Sequence, residues 1–275
     1  MSTLCAFFGI DDKPSGQVGY ASAYLASDSY ITDQNGKVMQ SDSQKVFASM
    51  NVPATLGYVG DTRIALLLEE TVRQLDAPHS LFAGSYGSSA RAHVLGTFFA
   101  NNLSEEACLI CESIVIYVGR TYGESGNQSK FHIWQFTRPQ NACWTSEELN
   151  VPSRSGPPVL HGRNVGFWGS GGPLLSYLER YKNYQDFSWA YFRELVRALR
   201  EGQDRRSGGT VQLAFLPRGG NGGYVGVIEK GEKFVCGKRL SDLSPRVSRW
   251  VDDNFDECDP NTLQRRPDRK RSPIV

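Results

Sequence analysis

The strongest constraint on the fold is the order in which the hydrophobic period changes along the chain. Strand-like apolar runs fall at 4–10 and 20–31, separated by turn residues, and shorter ones at 45–47 and 54–59. Ile64, Leu67, Leu68, Thr71, Val72 and Leu75 then recur at helical spacing behind Asp61, a residue suited to capping a helix. A second helical pattern covers about 88–103, and strands return at 113–121 and 131–136. A loop rich in Pro, Ser and Gly at 151–162 leads to a strand near 165–168, helices at 173–181 and 187–200, and strands at 210–216, 224–229 and 233–236. Strands, two helices, strands, two helices, strands is the order that places helices on both outer faces of two stacked sheets and hides both apolar sheet faces. The expected class is α+β, a four-layer αββα sandwich.

With 275 residues and 40% hydrophobic content, one substantial core is affordable. A net charge of +1 supplies no global field towards nucleic acid or an anionic membrane. The first ten residues lack the charged start and long apolar stretch of a secretory signal, and no run approaches the roughly 20 apolar residues that span a bilayer, so a cytoplasmic location is expected. Six cysteines are too sparse for a disulfide framework. Cys108 and Cys111 have metal-ligand spacing, but no second pair completes a zinc site; no metal or other cofactor is expected. Arg265, Arg266, Arg269, Lys270 and Arg271 fall among prolines with little to bury, which divides the chain into a domain at 1–259 and a disordered basic tail at 260–275.

Four short stretches carry the chemistry: Ala26-Ser27-Asp28-Ser29, Gln44-Lys45-Val46-Phe47, Trp168-Gly169-Ser170-Gly171-Gly172 and Asp204-Arg205-Arg206-Ser207-Gly208-Gly209. A dinucleotide loop at Gly169 and Gly171 is excluded because the third glycine of the fingerprint would fall on Leu174. In order and element type the four stretches resemble the proteasome β-subunit family of N-terminal-nucleophile hydrolases and its bacterial relatives, over about residues 2–237. In two places the chain departs from that pattern: the hairpin at 11–19 is longer, and Tyr30 stands where an Arg commonly follows Asp-Ser.

The resemblance implies a threonine-protease-type peptidase, here with Ser2 as nucleophile once Met1 is removed, and its own α-amino group as base. An α-amino group titrates at about 7.7–8.0, so this needs no histidine. Lys45 would lower the hydroxyl pKa, Asp28 would hold Lys45, Ser170, Asp204 and Ser207 would support the terminal amine, and the Gly60 N–H would receive the oxyanion. Thr3 and Cys5 are competing nucleophiles, each requiring a different mature terminus. A small-molecule amide hydrolase using Ser2 or Cys5, and a non-catalytic assembly subunit, are the alternatives. The substrate would be a peptide or unfolded protein; an ATPase partner is left open. A homo-oligomer, ring or ring-like stack, is expected because Leu174, Leu175, Tyr177, Leu178, Tyr181, Phe187, Trp189, Tyr191, Phe192, Leu195, Val196 and Leu199 exceed the stripe that one sheet can cover.

Overall fold

The computed structural model describes residues 2–12, 18–33, 35–78, 82, 87–103, 109, 111–121, 130–140, 142–149, 151, 166–170, 188–240 and 247–267. In chain order the strands β1 (Thr3–Asp12), β2 (Val18–Ser27), β3 (Ile31–Thr32), β4 (Val38–Gln40), β5 (Val46–Ala48) and β6 (Ala54–Val59) precede the helices α1 (Arg63–Asp76) and α2 (Ser88–Asn102). Strands β7 (Ser113–Thr121), β8 (Lys130–Arg138), β9 (Thr145–Leu149) and β10 (Phe167–Gly169) follow, then helix α3 (Ser188–Arg200). The chain continues through β11 (Gln212–Pro217), β12 (Gly223–Glu229), β13 (Glu232–Val235), β14 (Lys238–Leu240), β15 (Val247–Asp252) and β16 (Glu257–Cys258).

One sheet has the path β10-β1-β2-β11-β12-β13-β14, with β15 parallel to β12 and paired to β16; the other runs β5-β6-β7-β8-β9. Period-two alternation sorts side chains into layers. Along β1, Leu4, Ala6 and Phe8 enter the core between the sheets with Leu25, Val46, Ile116, Val118, Ile133 and Leu216. Cys5 and Phe7 face the other way, against Tyr191, Phe192, Leu195 and Val196 of α3. Along β7, Ile116 and Val118 join the inter-sheet core, while Val115 and Tyr117 pack under Ile64, Leu68, Leu95 and Phe99 of α1 and α2. Helices on both outsides and two sheets within make the αββα sandwich.

Two expectations need correcting. Tyr191, Phe192, Leu195 and Val196 are not surplus apolar surface: all four are buried within this chain. The sheet beneath α3 is wider than anticipated, because β15 adds Val251 and the turn after it adds Phe255. The companion helix expected at 173–181 lies outside the described residues, as does most of the 151–162 loop.

Nor do residues 260–267 hang free. Asp259 N–H donates to the Gln264 carbonyl, Leu263 N–H to the Asp259 carbonyl, and Arg266 N–H to the Glu257 carbonyl. Arg265 reaches Asp252 at 2.6 Å and Asp256 at 3.3 Å, so carboxylates on the body give the basic segment partners. Residues 268–275 lie outside the described residues. No helix among the described residues is long and apolar enough to cross a membrane.

Candidate active site

Asp28 follows the last residue of β2, where the chain leaves the sheet beside the start of β1. Ser27 Oγ donates to the Thr3 carbonyl at 2.8 Å and fixes that junction. The Asp28 carboxylate is fully buried and accepts four donors: Thr3 N–H at 3.0 Å on Oδ1, and Lys45 Nζ at 2.9 Å, Tyr30 N–H at 3.2 Å and Gly208 N–H at 3.2 Å on Oδ2. Lys45, just ahead of β5, also donates to the Tyr30 carbonyl. Burial pulls the Lys45 ammonium below its ordinary range, and Asp28 opposes that shift.

Gln212 ties these segments together. Its Oε1 accepts Lys45 N–H at 2.8 Å and its Nε2 donates to the Asp28 carbonyl at 3.0 Å, and to the Ser43 carbonyl. Sequence reasoning did not single it out, although a lone amide inside the apolar run at 210–216 was a signal that some buried polar group needed it.

A hydroxyl chain adjoins the carboxylate. Ser207 Oγ donates to Asp204 Oδ2 at 2.8 Å, which uses its only proton. Thr3 Oγ1, 2.8 Å from Ser207 Oγ, is therefore the donor of that pair, as is Ser170 Oγ at 3.3 Å. Ser170 N–H also bonds the Ser2 carbonyl at 3.1 Å. Gly169 makes this approach possible: its φ is +87°, and a Cβ there would lie 1.7 Å from the Ser2 carbonyl oxygen and 3.2 Å from Val59 Cγ1. Ser2 itself is buried, and no side-chain hydrogen bond among the described residues engages its hydroxyl.

Val59 brings the end of β6, and with it Gly60, to the Ser2–Gly169 junction. Gly60 has φ +114°, and a Cβ would meet the Glu112 carbonyl at 2.5 Å. Asp61 is not the N-cap residue of α1; that position is Thr62, without a side-chain cap bond. The Asp61 carboxylate still accepts Arg63 N–H at 2.9 Å, so it satisfies one first-turn donor from a residue earlier. Tyr30, where the sequence departs from the family pattern, lays its ring over a backbone that must be glycine: a Cβ on Gly208 would meet it at 2.5 Å.

All seven residues expected at the site occupy this region, and Asp28, Lys45, Ser170, Asp204 and Ser207 are joined through the bonds above. Thr3, considered in the sequence only as a rival nucleophile, is bonded at both its amide and its hydroxyl. Cys5 is directed to the α3 side, where burial pushes its thiol well above the usual range. Among the described residues no three His, Cys, Asp or Glu side chains converge as a metal ion would require. A cavity of about 660 Å³ lies beside Gln44 and Phe47, bounded by Val72, Tyr224, Val235 and Cys236.

With layers and site in view, the chain has the αββα fold of proteasome-like N-terminal-nucleophile hydrolases. It aligns with the Gly-1 mutant of Anbu from Hyphomicrobium sp. strain MC1 at a TM-score of 0.50 and 13% identity, over 79% of this chain and 82% of that one. Anbu, an ancestral beta-subunit, from Yersinia bercovieri aligns at 0.49 and 11%, over 78% and 82%. The eukaryotic HslV of Trypanosoma brucei aligns at 0.45 and 13%, over 79% and 99%. No protein-family model and no curated protein sequence matches the chain.

Proposed function

We propose that this protein is a peptidase that cleaves amide bonds through the side-chain oxygen of Ser2, exposed by removal of Met1. The observation that carries the reading is the buried Asp28–Lys45 pair, with Asp28 bonded to Thr3 N–H at 3.0 Å, immediately after the proposed nucleophile. The α-amino group of Ser2, titrating near 7.7–8.0 in its unperturbed form, takes the hydroxyl proton. The oxygen attacks the substrate carbonyl, Lys45 favours the developing alkoxide, and Gly60 N–H receives the oxyanion beside the start of α1. The ammonium then returns the proton to the leaving amine, and water hydrolyses the acyl-enzyme by the same route. Ser170, Asp204 and Ser207 keep the terminus in place through Thr3 and the Ser2 carbonyl.

Thr3 is the weaker choice for a physical reason. A chain beginning there would hold its ammonium 3.0 Å from the Asp28 carboxylate, a contact that stabilises the protonated form and spoils the base. Cys5 faces the wrong layer. None of the seven site residues lines the cavity beside Gln44 and Phe47, so it is not assigned to substrate; exposed Val38, Met39 and Leu66 offer apolar surface for the homo-oligomer this reading includes.

The test is intact mass combined with a peptide vinyl sulfone or β-lactone probe. Loss of Met1 and a single adduct on Ser2, abolished in Ser2→Ala, is the expected result. An adduct on Thr3 or Cys5, or a retained Met1 with no adduct, would reject it. Cleavage of small amides but no peptide would transfer the same site to the amidase reading.

A further inference from the structure

On the far side of the five-stranded sheet from the Ser2 site, three side chains form a chain of contacts that the proposed peptidase does not use. Thr121, His132 and Glu148 belong to adjacent strands β7, β8 and β9, and the pairings Gly119↔His132 and Trp134↔Glu148 put them on one face. That face is the helix side, shared with Tyr117 and Trp134. Thr121 Oγ1 lies 3.2 Å from His132 Nε2, and His132 Nδ1 lies 2.6 Å from Glu148 Oε1.

The carboxylate sets the tautomer. Glu148 accepts the Nδ1 proton, which leaves the Nε2 lone pair to accept from the Thr121 hydroxyl. Hydroxyl, imidazole and carboxylate in this order are the parts of an activated nucleophile, its base and the group that orients the base.

A donor site stands beside it. Helix α2 starts against this end of β7: Gly87 is its N-cap, and a Cβ there would be 3.9 Å from Thr121 Cγ2. Glycine supplies no capping side chain, and the first backbone bond of the helix is Arg91 N–H to the Gly87 carbonyl. The N–H groups of Ser88, Ser89 and Ala90 therefore have no acceptor within the helix and carry the positive end of its dipole. The His132 side chain is 12% exposed and that of Glu148 42%, so the group lies at the edge of the surface and not in the core.

We infer that Thr121, His132 and Glu148 form a second acyl-transfer site, specific for small activated esters. Thr121 Oγ bonds the ester carbonyl carbon as its proton passes to His132 Nε2, and the first-turn N–H groups of α2 meet the oxyanion. Collapse breaks the carbonyl-to-alkoxy C–O bond, and His132 gives its proton to the departing oxygen. Water then attacks acyl-Thr121, yields a proton to His132, and the carboxylic acid leaves as Thr121 recovers its hydrogen. The small exposure of His132 leaves room for a short acyl group only, and a secondary alcohol nucleophile requires a good leaving group.

The full chain is mixed with p-nitrophenyl acetate, phenol release is followed, and the protein is mapped by peptide mass spectrometry. Expected are a burst and an acetyl group on Thr121, also formed in Ser2→Ala, absent in Thr121→Val, and slowed about 10²-fold or more in His132→Gln. Thermal melts of both variants within a few degrees of the parent show that the loss is chemical. A burst of equal size in Thr121→Val, an acetyl group confined to Ser2 or to lysines, or no burst at all overturns the inference. Should either variant fail to fold, acetyl mapping of the parent protein alone decides it.

Discussion

Asp28 and Lys45 meet at 2.9 Å with 0% and 1% of their side chains exposed, and the two ends of that contact are unequally provided for. Among the described residues the carboxylate keeps three backbone N–H donors without the lysine, while the lysine's ammonium has one other acceptor, the Tyr30 carbonyl. Asp28→Asn turns an amide NH2 towards groups that only donate, at a cost of about 3–5 kcal/mol. Lys45→Met leaves a carboxylate still bonded to the backbone and costs less. Turnover falls about 10²- to 10⁴-fold in both. Urea unfolding of the two variants checks the order; a larger loss in Lys45→Met would refute this account of the pair.

The lowered Lys45 pKa fixes the sign of a pH effect. Below the folded value the lysine is protonated in both states and its burial penalty is fully present. Between the lowered folded value and the ordinary lysine value of 10.5, the unfolded chain binds the proton more readily, so this group makes stability rise with pH. Parallel unfolding of the parent and Lys45→Met across that alkaline window is expected to show the parent gaining relative to the variant. A parent that loses ground as pH rises contradicts the shift.

Thr3→Val keeps the shape of the side chain and removes the proton it gives to Ser207. The net loss is about 1 kcal/mol, roughly fivefold in turnover if the transition state feels all of it. Steady-state kinetics are expected to show kcat falling with KM held. An unchanged kcat would remove Thr3 from the positioning network.

Gly169→Ala and Gly202→Ala separate backbone strain from steric collision. Both have positive φ, +87° and +62°, but only at Gly169 does a Cβ strike another group, the Ser2 carbonyl, while nothing lies within 4 Å of the one at Gly202. Gly202→Ala is expected to cost about 1 kcal/mol and spare probe labelling at Ser2, whereas Gly169→Ala displaces residue 2 and abolishes it. Labelling and melts of the two proteins side by side check this.

The sequence was most informative where one physical signal dominated. Strands β6 and β7 were expected at 54–59 and 113–121, and those are their bounds, because continuous apolar runs ended by turn residues specify a buried strand. Strand β9 was missed: it reads Thr-Ser-Glu-Glu-Leu, and four of its five residues are exposed at the sheet's edge, where only pairing with β8 defines it. The basic segment was read as a disordered tail because the partners of Arg265 and Arg266, which are Asp252, Asp256 and Glu257, come from elements that periodicity did not reveal. At the site, the spacing of Asp28, Lys45 and Ser207 was visible, but the amide of Gln212 and the hydroxyl of Thr3 acquire meaning only when three distant segments meet.

Strand β1 is paired on both sides from its first residues, Thr3 opposite Gly169 and Leu4 opposite both Trp168 and Ser27. An exopeptidase must draw a terminus into its own cleft in extended form, and a residue already laddered on two flanks cannot be drawn out without unzipping the sheet. Trimming before folding is limited only by side-chain size; trimming after folding halts at the ladder. On the function proposed above, the sheet would act as a ruler for maturation, with the terminus at the residue just ahead of β1.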